Sequence, residues 1–158
     1  MKQKEKDLAA EINILLSGQK LAVLSTQRGG QPYSSLMAFA HTEDLKTLVV
    51  ATGSSTRKND NLRQDARVSL LVDSRSNREE DLHLAVALTV IGKASLAEGE
   101  ERMMYQNLYC TKHPYLESFI HQPTTNLIAI QVRHYLLVKR FQHVMELHLT
   151  DEQDIFAG

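Results

Sequence analysis

The order of apolar and polar residues predicts one helix and then a series of short strands in the first half of the chain. Apolar side chains recur every three or four positions over residues 4–18, which predicts an amphipathic helix with Gly18 as its C-cap. The Arg-Gly-Gly-Gln segment at 28–31 predicts a hairpin turn. Short apolar segments bounded by turn residues predict strands over residues 21–26, 32–40, 48–51 and 67–72.

The second half of the chain predicts longer strands. Residues 82–96 are predicted as one strand that bends at Gly92, where we expect a bulge or a barrel corner. Residues 126–140 are predicted as a second long strand, with a bulge near Tyr135 because the alternation slips there. A last strand is predicted over residues 144–149.

Short helices are predicted between the two long strands. Residues 98–109 predict a helix with Met103, Met104 and Leu108 on one side, and His113-Pro114 ends it before a further short helix. About seven strands, joined mostly by hairpins and accompanied by three or four short helices, indicate a mainly β, α+β fold: an antiparallel β-barrel with decorating helices. We expect one domain over residues 1–158, which includes the N-terminal helix within residues 1–18.

Composition and charge exclude several classes of function. The chain has 158 residues, 42% of them hydrophobic and 23% charged, which is typical of a globular domain. Its net charge of -1 argues against non-specific binding to nucleic acid or to an anionic membrane. The longest uncharged apolar stretch, residues 84–92, is too short for a membrane span, and the N-terminus lacks the apolar core of a signal peptide. The single cysteine, Cys110, excludes an internal disulfide, so we expect a cytoplasmic protein.

The most informative segment lies between the third strand and the helix that follows it. A helix N-terminus offers free N–H groups and the positive end of a dipole, and adjacent cations beside it suit a phosphate monoester. The alternative is an ordinary capped helix, with Ser55 or Thr56 as N-cap and two solvated cations. The segment carries four hydroxyls and two cations: Thr52, Ser54, Ser55, Thr56, Arg57 and Lys58.

The second strand is small and polar at its centre. Ser34, Ser35 and Ala38 would let a flat ligand approach the backbone, although a strand that crosses a tight barrel corner would show the same residues. The seven histidines lack the spacing of a metal site, so no metal is predicted, and a haem ligand among them is the remaining alternative. His83 is expected to face solvent on a strand and Cys110 to be an inert thiol. No nucleophile or phosphate-loop motif is present, and no catalytic residue is assigned.

The order of these segments resembles the pyridoxamine 5'-phosphate oxidase-like family of FMN-binding split barrels. The resemblance covers about residues 20–150 and is closest to the haem-utilisation branch. It is carried by Gly30-Gln-Pro-Tyr-Ser-Ser-Leu-Met-Ala-Phe39, by Thr52, Ser55-Thr-Arg-Lys58, Leu62 and Asp65-Ala-Arg67, by Val90-Ile-Gly-Lys-Ala94, and by His113-Pro-Tyr-Leu-Glu-Ser-Phe119.

The resemblance implies FMN bound between the two subunits of a homodimer. It places strand residues 34–39 beside the flavin ring, with Ala51 and Thr52 near it. Arg57 and Lys58 would hold the phosphate with help from Ser55. The implied cofactor-binding residues are therefore Ser34, Ser35, Leu36, Met37, Phe39, Ala51, Thr52, Ser55, Arg57 and Lys58.

Three departures from the family pattern shape the expected function. The chain lacks the Arg-x-His motif of pyridoxamine phosphate oxidases, so we expect no oxidation of that substrate. Ala87 stands where those enzymes have a Gln, and we expect the chain to lack the further C-terminal domain that haem-degrading members often carry. We expect an FMN-dependent oxidoreductase that acts on an unidentified small molecule. The alternatives are a non-catalytic flavin-binding or sensing dimer and a haem-binding or haem-degrading protein.

Overall fold

Seven strands and five α-helices form the part of the chain that the structure, a computed structural model, describes: residues 2–140, 142–150 and 155. The strands are Leu21–Arg28 (β1), Gln31–His41 (β2), Thr47–Gly53 (β3), Arg67–Asp73 (β4), Ala87–Leu96 (β5), Thr125–Lys139 (β6) and His143–His148 (β7). The helices are Gln3–Gly18 (α1), Arg57–Gln64 (α2), Asp81–Leu84 (α3), Gly99–Lys112 (α4) and Glu117–Ile120 (α5), with a 3-10 turn at Pro114–Leu116 before α5.

The sheet closes into a six-stranded antiparallel barrel. Its strands follow the order β3-β2-β1-β4-β5-β6, and β6 pairs with β3 to complete the ring. Strand β7 is an addition outside the ring and pairs with the second half of β6. The predicted antiparallel β-barrel with short decorating helices is therefore confirmed.

Strand β6 pairs with three other strands, because it is long enough for two of them to share one of its edges. Its first half pairs with β3 and its second half with β7, while β5 follows the opposite edge along most of its length. The register between β5 and β6 shifts between Ile91 and Gly92. A Cβ on Gly92 would lie 2.5 Å from the carbonyl oxygen of Gln131. Glycine is therefore required where the two backbones approach, and the predicted bend at Gly92 is confirmed.

Apolar side chains form two layers, one on each side of the barrel wall. The interior holds the larger core, which α1 closes at one side with Leu8, Ile12 and Leu16. A second layer covers the outer faces of β2, β3 and β6, where Tyr105 and Tyr109 of α4 pack. The first half of β6 is therefore buried on both faces, and this explains its nearly continuous apolar sequence.

Three details differ from the sequence-based expectations. The predicted strand over residues 82–96 is shorter: Asp81–Leu84 is a helical turn, so exposed His83 lies on a helix instead of a strand. Of the side of α4 predicted to carry Met103, Met104 and Leu108, only Leu108 packs against the second layer, whereas the two methionines are exposed and Tyr105 and Tyr109 are the residues that α4 buries. Helix α1 ends at Gly18, but the C-cap is the next residue, in an extended conformation.

No helix in the described residues is both long and apolar enough to cross a membrane.

Candidate functional site

The loop after β3 is held in place by a network of short polar side chains. Thr56 is the N-cap of α2, because its Oγ1 accepts a hydrogen bond of 3.3 Å from the backbone N–H of Asn59. The same hydroxyl donates to the carbonyl of Gly53 at 3.0 Å and lies 2.8 Å from Oγ1 of Thr52. Of the two candidate caps, the helix uses Thr56, and Ser55 stays exposed. The predicted capped helix is therefore present.

Asn59 connects this loop to the barrel. Its side-chain amide is buried and donates to the carbonyl of Ser54 at 2.8 Å, and its Oδ1 accepts from Nδ2 of Asn126 on β6 at 3.0 Å. The backbone N–H of Ser54 also donates to the carbonyl of Thr124 at 2.8 Å. These contacts fix the backbone of the loop, so the groups at the start of α2 are pre-organised.

The start of α2 presents several unused hydrogen-bond donors. In the described part of the chain, the backbone N–H groups of Arg57 and Lys58 have no protein acceptor. Arg57 is exposed, and its guanidinium lies 5.5 Å from the centre of the Tyr33 ring on β2. Lys58 is half-buried, and Ser55 adds an exposed hydroxyl. Two cations, two N–H groups and a hydroxyl thus lie within four residues, a donor set suited to a phosphate.

Strand β2 leaves a free edge beside this loop. Its pairing with β3 covers only Phe39 to His41, and the two strands separate before Ala51. We call the gap between residues 33–38 of β2 and residues 51–58 the β2–β3 opening. Among the described residues, no partner bonds the backbone of residues 33–38 on that edge of β2, so these groups are available to a flat polar ligand. The contact between Arg57 and Tyr33 places the start of α2 at the same opening.

The side chains predicted on β2 lie on two different faces of the barrel. Ser34 and Leu36 point outward, and Leu36 is 66% exposed. Ser35 is half-buried on the inward face, and Met37 and Phe39 belong to the barrel core. Met37 and Phe39 can therefore offer a ligand only their backbone.

The two residues predicted at the end of β3 are both buried. Ala51 packs in the layer under α4, and Thr52 belongs to the hydrogen-bond network of the loop. They support the wall of the β2–β3 opening. The sequence reasoning assigned no role to Tyr33, Asn59 or Asn126. A signal for Asn59 was available, because a helix whose third residue is an amide offers a side chain that can bond the preceding loop.

Basic side chains lie under the far end of β2. The Nε2–H of buried His113 donates to the carbonyl of Phe39 at 2.7 Å. Lys112 donates to the carbonyl of Leu16 at 2.8 Å and lies 3.9 Å from the centre of the Phe39 ring. Burial lowers the pKa of Lys112 to about 8, and burial together with the nearby Lys112 charge lowers the pKa of His41 to about 4. These groups hold β2 from behind and do not reach the opening.

A cleft with a volume of about 900 Å³ lies elsewhere among the described residues, between β1 and β4. The β2–β3 opening is identified instead by its cations and hydrogen-bond donors, which lie within four residues at the start of α2. Among the described residues, no group of three or more His, Cys, Asp or Glu side chains is arranged to hold a metal ion.

A family model described as pyridoxamine 5'-phosphate oxidase matches residues 8–139. No curated protein sequence matches the chain significantly. The general stress protein 26 of Bacillus anthracis is 25% identical, with a TM-score of 0.70 over 90% of this chain and 98% of that one.

Two solved structures with lower sequence identity to this chain share its fold. The heme binding protein of Mycobacterium smegmatis is 17% identical, with a TM-score of 0.77 over 89% of this chain. This chain spans only 57% of the length of the Mycobacterium protein. A FAD-binding protein of Mesorhizobium loti is 15% identical, with a TM-score of 0.66 over 82% of this chain and 90% of that one.

Proposed function

Because the chain belongs to the pyridoxamine 5'-phosphate oxidase family, we propose that it binds FMN in the β2–β3 opening and uses it to oxidise or reduce a small molecule. The observation that carries this proposal is the donor set at the start of α2. Arg57, Lys58 and two open N–H groups suit a phosphate with nearly two negative charges. That donor set lies beside a free strand edge, which suits the flat ring system of a flavin.

Different residues of the opening bind different parts of FMN in this proposal. Arg57 and Lys58 neutralise the phosphate, and the hydroxyl of Ser55 donates a further hydrogen bond. The free edge of β2 bonds the polar rim of the ring system, and the outward face beside Ser34 is small enough to let the ring approach. The flavin supplies the electron chemistry, while the chain supplies binding and orientation.

We propose that the protein acts as a homodimer, and an exposed apolar row beside the opening supports this. Val23 lies directly between Leu36 and Leu71 in the registers of β2, β1 and β4. Leu36 is 66% exposed and Leu71 37% exposed, and Leu21, 50% exposed, extends the patch. A contiguous apolar patch on a barrel wall is typical of an interface. A second copy on this row would cover the flavin groove, which a single chain leaves open.

The surplus apolar residues of β6 are not the basis for this proposal. The two segments predicted as long strands, residues 82–96 and 126–140, carry more apolar positions than one inner face requires, and such a surplus is also typical of an interface. The outward Leu127 and Ala129 of β6 are instead covered by α4 and α5 of the same chain. The uncovered row lies on β2, β1 and β4.

The cofactor is tested by the visible spectrum of the freshly purified protein, followed by titration with FMN, FAD, riboflavin and haem. We expect a flavin spectrum and a preference for FMN over riboflavin, because only FMN carries a terminal phosphate monoester. A Soret band on adding haem, with no flavin bound, would favour the haem-binding alternative.

The enzymatic claim and the dimer have separate tests. Reduction of the bound FMN by NADH or NADPH, followed by reoxidation with an electron acceptor, would support an oxidoreductase. Bound FMN without turnover would support the non-catalytic flavin-binding alternative. Light scattering should give about twice 17.9 kDa, and Leu36→Lys should shift the mass toward one chain. A wild-type mass near that of one chain would contradict the dimer.

A further inference from the structure

Strand β2 changes partners at Phe39. Its register with β1 stops at the pair of Leu21 and Ala38, and its register with β3 covers only Phe39 to His41. The backbone groups of successive residues in a strand point to opposite edges. Because the N–H of Phe39 donates to the carbonyl of Lys20 at 3.4 Å, the carbonyl of Phe39 also faces the β1 side, and the backbone groups of Ala38 face the β2–β3 opening. Phe39 therefore joins the part of β2 that pairs with β3 to the free edge.

An imidazole takes the place of a strand partner at this residue. Strand β1 begins at Leu21, so no residue of that strand lies opposite Phe39. The carbonyl of Phe39 instead accepts a hydrogen bond of 2.7 Å from the Nε2–H of His113, the C-cap residue of α4. A side chain from outside the sheet thus holds β2 at the point where its free edge begins.

The imidazole of His113 is itself held in a fixed position. His113 is buried, and its Nδ1 lies 3.2 Å from the hydroxyl of Tyr115. Because the Phe39 carbonyl can only accept, Nε2 carries the proton and Nδ1 accepts from that hydroxyl. The ring centre also lies 5.0 Å from that of Tyr109, and burial lowers the pKa of His113, so the ring stays neutral at neutral pH. A buried donor in a fixed position also fixes the carbonyl that it bonds.

The residue before His113 holds the side chain of the same phenylalanine. The ammonium of Lys112 lies 3.9 Å from the centre of the Phe39 ring, and it donates to the carbonyl of Leu16 in the last turn of α1 at 2.8 Å. A cation over an aromatic face is attractive, and more so when it is partly buried, as Lys112 is. We call Lys112 and His113 the Phe39 clamp. It contacts both the backbone and the ring of Phe39.

We propose that the Phe39 clamp positions the flavin ring, a role that rests on flavin binding in the β2–β3 opening. The two residues are positioning residues and do not touch the ring. They fix the direction in which β2 leaves β3, and with it the backbone groups of Leu36 and Ala38 that face the opening. The clamp therefore affects the binding of any flavin, whereas Arg57 and Lys58 affect only a flavin that carries a phosphate.

The test compares the binding of riboflavin and of FMN, followed by flavin fluorescence, in two amide variants of His113. The side-chain nitrogen in His113→Gln can reach the Phe39 carbonyl from the position of Nε2, whereas the side chain in His113→Asn is too short. His113→Asn leaves the buried carbonyl without this donor and should weaken riboflavin and FMN by the same factor, about tenfold. His113→Gln should retain most of the affinity for both. Equal riboflavin affinity in His113→Asn and in the wild type would overturn the proposal.

Two further variants separate positioning from a general loss of stability. Tyr135→Phe is the matched control, because it also removes a buried donor to a backbone carbonyl, that of Leu45. It should leave flavin affinity unchanged at a temperature where thermal melts show every variant folded. An equal loss of affinity in Tyr135→Phe and His113→Asn would refute a specific role of the clamp. Lys112→Met keeps the buried imidazole and should weaken both flavins about threefold. If His113→Asn does not fold, unchanged riboflavin affinity in Lys112→Met overturns the proposal.

Hydrogen exchange of the flavin-free protein tests the position of β2 without the cofactor. His113→Asn should accelerate exchange in peptides that cover residues 35–41, and Tyr135→Phe should not. Unchanged exchange in those peptides would contradict the clamp. Failure of the wild type to bind any flavin would overturn the proposed function. Flavin binding that responds to Arg57→Ala but not to His113→Asn would overturn only the present inference.

Discussion

Replacing Arg57 and Lys58 by alanine tests the flavin phosphate site most directly. A hydrogen bond between a cation and a phosphate contributes about 1.5–3 kcal/mol net. Each substitution should therefore raise the dissociation constant of FMN by roughly 10- to 150-fold. Arg57 also contacts the ring of Tyr33 at 5.5 Å, but this contact is exposed and contributes at most about 1 kcal/mol to stability. Both variants should fold, and their melting curves should stay close to that of the wild type.

Two neighbouring hydroxyls provide matched controls. Thr56→Ala removes the N-cap of α2 and should lower the free energy of unfolding by about 1 kcal/mol. Ser55→Ala changes an exposed side chain that caps nothing, so it should leave stability unchanged and weaken FMN by about one neutral hydrogen bond, 0.5–1.5 kcal/mol. Stability and affinity should thus respond to different residues.

The assay is isothermal titration of FMN and riboflavin against the four single variants, beside their thermal melts. Riboflavin lacks the phosphate, so it should bind weakly and respond little to the loss of Arg57 or Lys58. Equal FMN affinity in the wild type and in the double variant Arg57→Ala with Lys58→Ala would refute the phosphate site. A parallel loss of riboflavin affinity would show that the substitutions act on the groove and not on the phosphate.

Three further predictions concern the barrel. Gly92→Ala should destabilise the fold by about 1–3 kcal/mol in urea unfolding, because the new Cβ would lie 2.5 Å from the carbonyl oxygen of Gln131; an unchanged midpoint would contradict this. Tyr135→Phe should cost about 1–3 kcal/mol in the same assay, because its buried hydroxyl donates to the carbonyl of Leu45 at 2.6 Å; full stability would show that this carbonyl finds another donor. Burial lowers the pKa of His41 from 6.5 to about 4, so the unfolded chain binds more protons between these values and stability should fall as the pH drops from 6.5 to 4. Between pH 7 and pH 4.5, the urea midpoint of His41→Gln should fall less than that of the wild type. An identical fall in both proteins would exclude this residue as the cause.

Local sequence signals predicted most of the strands because their physical causes are local. Gly29 and Gly30 have φ values of 57° and 83°, which only glycine adopts readily, so a Gly-Gly pair between two alternating segments was sufficient to predict the hairpin. Gly92 was a similar signal, since an isolated glycine in a strand indicates a bulge or a close backbone contact. The loop at 52–58 was predictable as well, because its hydroxyls and cations are adjacent in the sequence.

The errors occurred where tertiary packing decides between two similar patterns. The segment before β5 is apolar enough to read as strand, but Asp81 accepts hydrogen bonds from the backbone of Ser76, Asn77 and Arg78 and so organises a helical turn there. On α4, the exposed Met103 and the buried Tyr105 are both apolar, so periodicity alone does not identify the buried side. Only the position of the barrel wall shows which side is covered.

The β2–β3 opening and the cleft between β1 and β4 show why one feature of the barrel was predictable and the other was not. Both lie where barrel strands stop pairing, and α2 packs near both, against β1 and β3. The donors of the β2–β3 opening lie within a few residues, so the sequence pattern displays them together. Arg28 and Lys93 are 65 positions apart in the sequence (93 minus 28) and reach one cleft only through the pairing of β1 with β4 and of β4 with β5. The residues of a cleft that strand register assembles can therefore be brought together on paper only after the sheet order is known.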